Sequence, residues 1–392
     1  MEHRFLSKVF YILTGLLFSA AVWAAAELAT GSTAADQVRS GQQYFSQGQY
    51  EEALATWNTA LDSYRDNGDR AGQARVLQHK AEAYLAIGQY NKATARLKSA
   101  LSLAADSGNE RLASQVAISL GTAYMLSNRT AEARELLEKA IAGERAARRW
   151  DSAAVAGNNL GGLLASEGEF EAAIPAYQQA LSDAKQAKNN ELITKAATNI
   201  ARVYVDSDQQ TRALQQLEDA TNLAQALEPS HTKAYTLISI GRLYSRLSGV
   251  SEESTAEELE KRAEQAFTTA VGVAEKTGDN RALSFAYGYL GELNEEAGRV
   301  EEAMKFTRLA TYHLQKTPAP EISYRWQWME GRLLRAEGDT DLAIGAYQRA
   351  VNDLQTIRPV LAAGHMGTHG EFRNDAGRLY LDLADLLLEK AD

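Results

Sequence analysis

The sequence predicts an all-α fold, a right-handed α-solenoid of helical hairpins closed by a terminal helix. Three observations predict it. Small residues return on a fixed beat at Gly41, Ala81, Gly121, Gly161, Ala201, Gly241, Gly291 and Gly331, 40 residues apart except for one step of 50. Alanine fills two further columns of that frame, Ala53, Ala93, Ala133, Ala173, Ala213, Ala263, Ala303 and Ala343, then Ala60, Ala100, Ala140, Ala180, Ala220, Ala270, Ala310 and Ala350. Between the columns, apolar residues keep helical spacing, as in Val116, Leu120, Ala123 and Tyr124.

The elements follow in order. Residues 1–26 have the layout of a secretory signal: Arg4 and Lys8, an apolar run from Val9, and Ala24-Ala25-Ala26 as the cleavage site. The expectation is export to a bacterial periplasm or beyond the cell. The alternative is a retained membrane anchor, because the run approaches the length that spans a bilayer. Residues 34–358 hold eight units of two helices each. A turn separates the helices at Gly48, Gly88, Asn128, Gly168, Asp208, Gly298 and Gly338. Small residues in fixed columns let two helix backbones approach, and Trp57, Leu97, Leu137, Tyr177, Leu217, Phe267 and Tyr347 fill the adjoining space. One hairpin cannot bury its apolar face alone, so the units must stack.

The sixth unit carries an insertion at about 248–260. Ser251-Glu252-Glu253-Ser254-Thr255 reads as a solvated surface loop, with Thr255 and Glu258 as a capping box for the helix after it. A glycine-rich connector occupies 359–371. A terminal helix at 372–392 puts Phe372, Leu379, Tyr380, Leu383 and Leu387 on one side.

Composition narrows the function. The chain has 392 residues, no cysteine and a net charge of −10. Without cysteine there is no disulfide, thiolate metal site or cysteine nucleophile in it. An acidic balance disfavours tracking a nucleic-acid backbone, which needs clustered positive charge. Past the leader no apolar run reaches membrane-spanning length, so no membrane contact is expected after cleavage. No phosphate loop, nucleophile elbow or dinucleotide fingerprint is present. His365 and His369 are four apart but sit among Gly364, Gly367 and Gly370, which favours a connector over a metal site. His79, His231 and His313 stand in separate units and read as solvated or packed residues. The pairs Glu51-Glu52 and Glu301-Glu302 open second helices, where negative charge suits the helix dipole. Tyr324, Trp326 and Trp328 read as core. The expectation is therefore no enzyme, no cofactor, no metal and no catalytic residue.

The order of small residue, Tyr, Gly, Tyr, Ala, aromatic and Ala in Gly41, Tyr44, Gly48, Tyr50, Ala53, Trp57 and Ala60 resembles the tetratricopeptide repeat family. The resemblance covers about 34–358, with a period of 40 against the usual ~34. Such lengthened units look like those of kinesin light chains and many bacterial signalling proteins. The tail, Asn352–Arg358 and Arg378–Leu387, resembles the junction that precedes a caspase-like CHAT domain, whose catalytic residues would lie beyond Asp392. A helix that only caps the solenoid is the other reading of the same residues.

The family resemblance implies a concave groove lined by first helices. By register the groove positions are Asn158, Asn159, Lys195, Thr198, Asn199, Arg202, Tyr235 and Arg242. Gly162, Ser239, Arg325 and Arg332 share that register. An asparagine offers a donor and an acceptor together, which suits a peptide backbone. The cations suit acidic side chains or a carboxylate terminus. Equivalent positions elsewhere hold Arg39, His79, Ser119, Tyr289 and Met329, so the pattern centres on the fourth to sixth units. The implied function is a non-enzymatic scaffold that binds a protein or peptide, of acidic character. The alternative is the sensor half of a tetratricopeptide–CHAT protease.

Overall fold

The computed structural model describes residues 33–316, 319–363 and 369–391. The signal peptide expected at 1–26 lies outside them. Among the described residues there are seventeen α-helices and no strand. The first hairpin pairs α1 (Thr33–Ser46) with α2 (Tyr50–Asp66). The second to fifth are α3 (Arg70–Ala86) with α4 (Tyr90–Asp106), α5 (Glu110–Leu126) with α6 (Thr130–Ala146), α7 (Trp150–Glu167) with α8 (Phe170–Ala187), and α9 (Asn190–Asp206) with α10 (Gln210–Gln225). The sixth to eighth are α11 (His231–Ser248) with α12 (Glu253–Thr277), α13 (Asn280–Glu296) with α14 (Val300–Lys316), and α15 (Pro320–Glu337) with α16 (Thr340–Ala363). The helix α17 (His369–Ala391) comes last. The chain divides into two compact units: the first five hairpins, to Leu227, and the remainder from Glu228.

The columns of small residues explain the hairpins. A Cβ on Gly161 would lie 2.7 Å from the ring of Tyr177, and one on Gly331 2.4 Å from the ring of Tyr347. Gly41 meets Trp57 at 2.2 Å and Gly241 meets Phe267 at 2.5 Å in the same way. So in these four hairpins the first helix gives up a side chain where its own second helix inserts a ring. Both alanine columns are buried throughout. Between ten and fourteen residues are buried in each first helix from α3 to α13, against four or five in each second helix from α2 to α10. First helices therefore form the inner layer, and the second helices bury one stripe.

The turns fall on a shorter beat than the repeat. Gly48, Gly68, Gly88, Gly108, Asn128, Arg148, Gly168, Lys188 and Asp208, each twenty residues after the last, all have positive φ. At all of them but Gly108, the next N–H closes back on the preceding helix, as from Asp69 to the carbonyl of Tyr64 at 2.9 Å. The same turn thus links helices within a hairpin and between hairpins. Asp69, Asn109, Asn189, Ser230 and Asp279 cap first helices through their side chains, whereas Gln49, Gln89, Arg129, Glu169 and Gln209 open second helices without such a bond.

Two expectations change. The inserted segment is not a surface loop: α12 starts at Glu253 and runs for 25 residues. Its N-cap is Glu252, and Thr255 already lies within the helix, so the expected capping box does not form. Leu259 is buried and anchors the added turns. The terminal helix buries only part of the side expected: Leu379 is buried and Leu383 partly so, whereas Tyr380 and Leu387 are exposed. Leu379 and Leu386 point inward, while Tyr380, Leu381, Leu387 and Leu388 are exposed. Trp328 Nε1 donates to Asp382 at 2.7 Å, and Arg335–Glu389 and Asp341–Lys390 tie α17 to the eighth hairpin. The helix boundaries confine the connector to 364–368, outside the described residues.

Candidate functional site

The groove positions sit on the inner first helices, but their side chains are sealed. Asn158, Asn159, Lys195, Thr198, Asn199, Arg202 and Tyr235 are all buried, and Arg242 is partly so. Gly162 and Ser239 are buried with them. In the first unit the amides are engaged with one another across hairpins. Asn199 Nδ2 donates to Asn158 Oδ1 at 3.0 Å, and Asn159 Nδ2 donates to Thr122 Oγ1 at 2.9 Å. Gln78 Nε2 donates to Ser119 Oγ at 3.0 Å. His79 Nδ1 faces Glu82 at 3.3 Å, which leaves Nε2 to accept from the Gln42 amide at 3.3 Å. A polar seam therefore joins each first helix from α1 to α9 to the next.

The sequence pattern centres this seam on the fourth unit onward, because His79 and Ser119 do not resemble asparagine. The structure extends it to the first hairpin with those same two residues. Gln42, Gln78 and Thr122 carry no motif that would mark them. Only the near-40 offset of each to its partner, 37 or 41 residues, gives the signal.

Lys195 and Arg202 share the inner face of α9. Burial drives the Lys195 ammonium down to about 7; the nearby Arg202 charge adds to this and Glu191 opposes it. Thr198 returns its hydroxyl to the carbonyl of Thr194 at 2.8 Å. Tyr177 lies close enough to feel Arg202, yet burial dominates and holds its phenol proton tightly.

In the second unit the aromatic content is higher. Arg242 and Arg325 both stack on the Tyr289 ring, at 4.8 and 5.6 Å. Arg325 also pairs with Glu292 at 2.9 Å, and Arg332 with Glu295 at 2.7 Å. Tyr235 packs between His231 and Phe285. Trp326 is core, donating from Nε1 to Ser284 Oγ at 3.0 Å. The space for it comes from Gly288, whose absent Cβ would lie 2.2 Å away.

The histidines are packed and partnered: His79 stacks on Trp57, His231 pairs with Asp279, and His313 meets Asn280 at 3.1 Å. Glu51, Glu52, Glu301 and Glu302 are exposed in the first turns of their helices. The spacing of His365 and His369 falls outside the described side chains. Among the described residues no three His, Asp or Glu side chains gather as a metal site, and no helix is long and apolar enough to cross a membrane.

Repeated hairpins with small residues set against rings, and a polar seam along the inner helices, define a helical-hairpin repeat protein. Residues 33–106 and 151–226 match the family model described as tetratricopeptide repeat. These segments are the first, second, fourth and fifth hairpins, so four of the hairpins match tetratricopeptide repeats. No curated protein matches it.

Among solved structures, BtubC (BKLC) from P. vanneervenii is 18% identical, over 59% of this chain and 91% of that one, with a TM-score of 0.49. A Rap protein complexed with competence and sporulation factor is 16% identical, over 71% and 74%, with a TM-score of 0.49. PilW, a type IV pilus biogenesis factor, is 20% identical, over 61% and 96%, with a TM-score of 0.43.

Proposed function

We propose that the protein is a non-enzymatic scaffold that captures an extended, acidic partner segment along the inner faces of its fourth and fifth hairpins. The observation that carries this reading is the chemistry of those faces. Asn158, Asn159 and Asn199 hold hydrogen-bonded amides, and Arg202 places a cation on α9, on the same face as Lys195, whose ammonium burial brings down to about 7. An amide–amide bond can be exchanged for an amide–peptide bond at small net cost, because the number of hydrogen bonds is conserved. Tyr235 and Arg242 hold the same register on the sixth hairpin, and we propose them as contacts of that hairpin by itself. Export through the leader at 1–26 is part of it, and the intact mass of the native protein tests that part.

The test is a photo-crosslinking residue at Thr198 in the source cells. The expected result is a discrete crosslinked partner, lost when Asn159→Ala, Asn199→Ala and Arg202→Ala are combined while the helix content holds. Unchanged capture removes this face from the proposal.

The exposed Tyr380, Leu381, Leu387 and Leu388 on α17 favour a second reading, in which a CHAT-type protease domain follows and covers them. An antibody against the repeats decides this one. A native polypeptide well above 42.8 kDa supports it, and one near that mass removes it.

A further inference from the structure

The last helix, α17, is apolar on two faces. Leu379 and Leu386 are buried, and Asp382 on the same side accepts the Trp328 bond from the eighth hairpin. On the opposite side Tyr380, Leu381, Leu387 and Leu388 are 40% to 67% exposed. At about 100° per residue, Gly377, Tyr380, Leu381, Ala384, Leu387 and Leu388 all fall within about 60° of a line through Ala384. No charged residue interrupts this stripe. Among the described residues eight large apolar side chains are exposed; four are on this one helix, while Tyr44, Val250, Tyr312 and Leu342 are scattered elsewhere. Scattered apolar residues are ordinary, whereas a continuous stripe marks a contact surface. A helix needs one apolar face to sit on its hairpin, so the second face is surplus to the fold.

The stripe is self-complementary. Turned about a two-fold axis at Ala384, an antiparallel copy sets its Leu387 against Tyr380 and its Leu388 against Leu381. Each pair then lies at one level and on one side of the axis. Ala384, exposed and small, stands on the axis and lets the two backbones approach. The same rotation brings Arg378 of one copy level with Glu389 of the other on a shared flank, twice by symmetry. Glu389 keeps its pair with Arg335, and a carboxylate has room for a second cation. Asp385 meets its own copy at the rim, a like-charge contact that works against the pair. The stripe itself offers no charge to an acidic or a basic partner, so its occupant must be apolar in the same pattern.

We propose that α17 is a homodimer interface, on which a second copy of this chain lays the same stripe antiparallel about Ala384. An interface of one helix stripe is at the small end of stable contacts, so the dimer forms at micromolar concentrations. This surface is independent of the scaffold reading, which lies on other hairpins. It names for the stripe an occupant other than a following domain.

The test begins with sedimentation of the full chain across micromolar concentrations at physiological salt, where the repulsion between two copies at −10 each is screened. A monomer–dimer equilibrium is expected, weakened at least tenfold by combined Leu381→Glu and Leu388→Glu. Leu342→Glu, exposed on α16 away from the stripe, leaves it unchanged, and Asp385→Asn tightens it. If the glutamates lower the helix content, Leu381→Ser with Leu388→Ser carries the same arm. The chain has no cysteine, so introduced thiols report the register. Ala384→Cys is expected to form an intermolecular disulfide by itself under mild oxidation, and so is Tyr380→Cys combined with Leu387→Cys. Tyr380→Cys alone forms none. A chain that stays monomeric, because another protein or a following domain holds the stripe, overturns the proposal. A disulfide from Tyr380→Cys alone, or an equal loss from Leu342→Glu, overturns it as well.

Discussion

Asn199 donates to Asn158 across 3.0 Å, from one hairpin to the hairpin before it, and both side chains are closed to solvent. A buried amide pair of this kind is asymmetric in its energetics. Made, it contributes about 1 kcal/mol; half removed, it leaves a partner unsatisfied at about 1–3 kcal/mol. Asn199→Ala therefore lowers stability by about 1–3 kcal/mol in urea unfolding. Replacing both asparagines by leucine costs less than the sum of the two single changes, with a coupling above about 0.5 kcal/mol. Strict additivity would show that the contact carries no energy.

The small-residue column makes a paired prediction. Gly161→Ala drives a methyl group toward the Tyr177 ring, 2.7 Å from its Cβ position. Overpacking of this size costs about 1–3 kcal/mol, against a helix-propensity gain of about 1. The chain contains its own remedy. Where the column holds Ala201, the residue sixteen places on is Leu217, and Ala81 is matched by Leu97. Gly161→Ala with Tyr177→Leu is thus expected to be more stable than Gly161→Ala alone. A thermal melt of the wild type and the two variants checks it.

Lys195 gives a pH dependence with a definite sign. In the unfolded chain a lysine titrates near ~10.4. In the fold burial brings it to about 7. Between those values the unfolded chain holds a proton that the folded one lacks, so stability rises with pH across the window. The slope approaches about 1.4 kcal/mol per pH unit for one proton. Denaturation between pH 7 and 9, below the range where Tyr177 matters, is the measurement. Lys195→Met flattens the curve and stabilises the protein at pH 7; a wild-type curve already flat over this range would contradict the burial argument.

Two turns hold ordinary side chains in a left-handed backbone. Lys188 has φ +56° and Arg148 has φ +54°, and both are exposed. Glycine adopts this region freely, whereas other residues lose about 1 kcal/mol. Lys188→Gly and Arg148→Gly are each expected to raise the melting temperature by a few degrees. Gly108→Lys, at the equivalent turn between the second and third hairpins, should lower it. A fall in the first two would show that those side chains make contacts that outweigh the strain.

Most of the fold was legible because its signal is repetitive. Gly41, Gly161, Gly241 and Gly331 are unavoidable wherever Trp57, Tyr177, Phe267 and Tyr347 insert, so the column records the packing directly. The added turns of α12 were misread, since glutamates and a serine after Ser248 look like a loop until Leu259 is seen to be buried. The inner face was legible in position but not in state. Register places Asn158 and Asn199 on the first helices, but whether an amide meets solvent or another amide depends on the distance between neighbouring hairpins. The seam partners Gln42, Gln78 and Thr122 had no local signature, because only a residue on the next hairpin gives them a role.

The turn that recurs every twenty residues frees the chain from any preferred cutting point. Because the link inside a hairpin and the link between hairpins share one backbone shape, a forty-residue block can be excised or duplicated from any turn to its second successor. Deleting 109–148 would seat Arg149 after the left-handed Gly108, where Asn109 stands now. Array length is then a quantity that inheritance can adjust in whole steps, with no new loop to invent at the join.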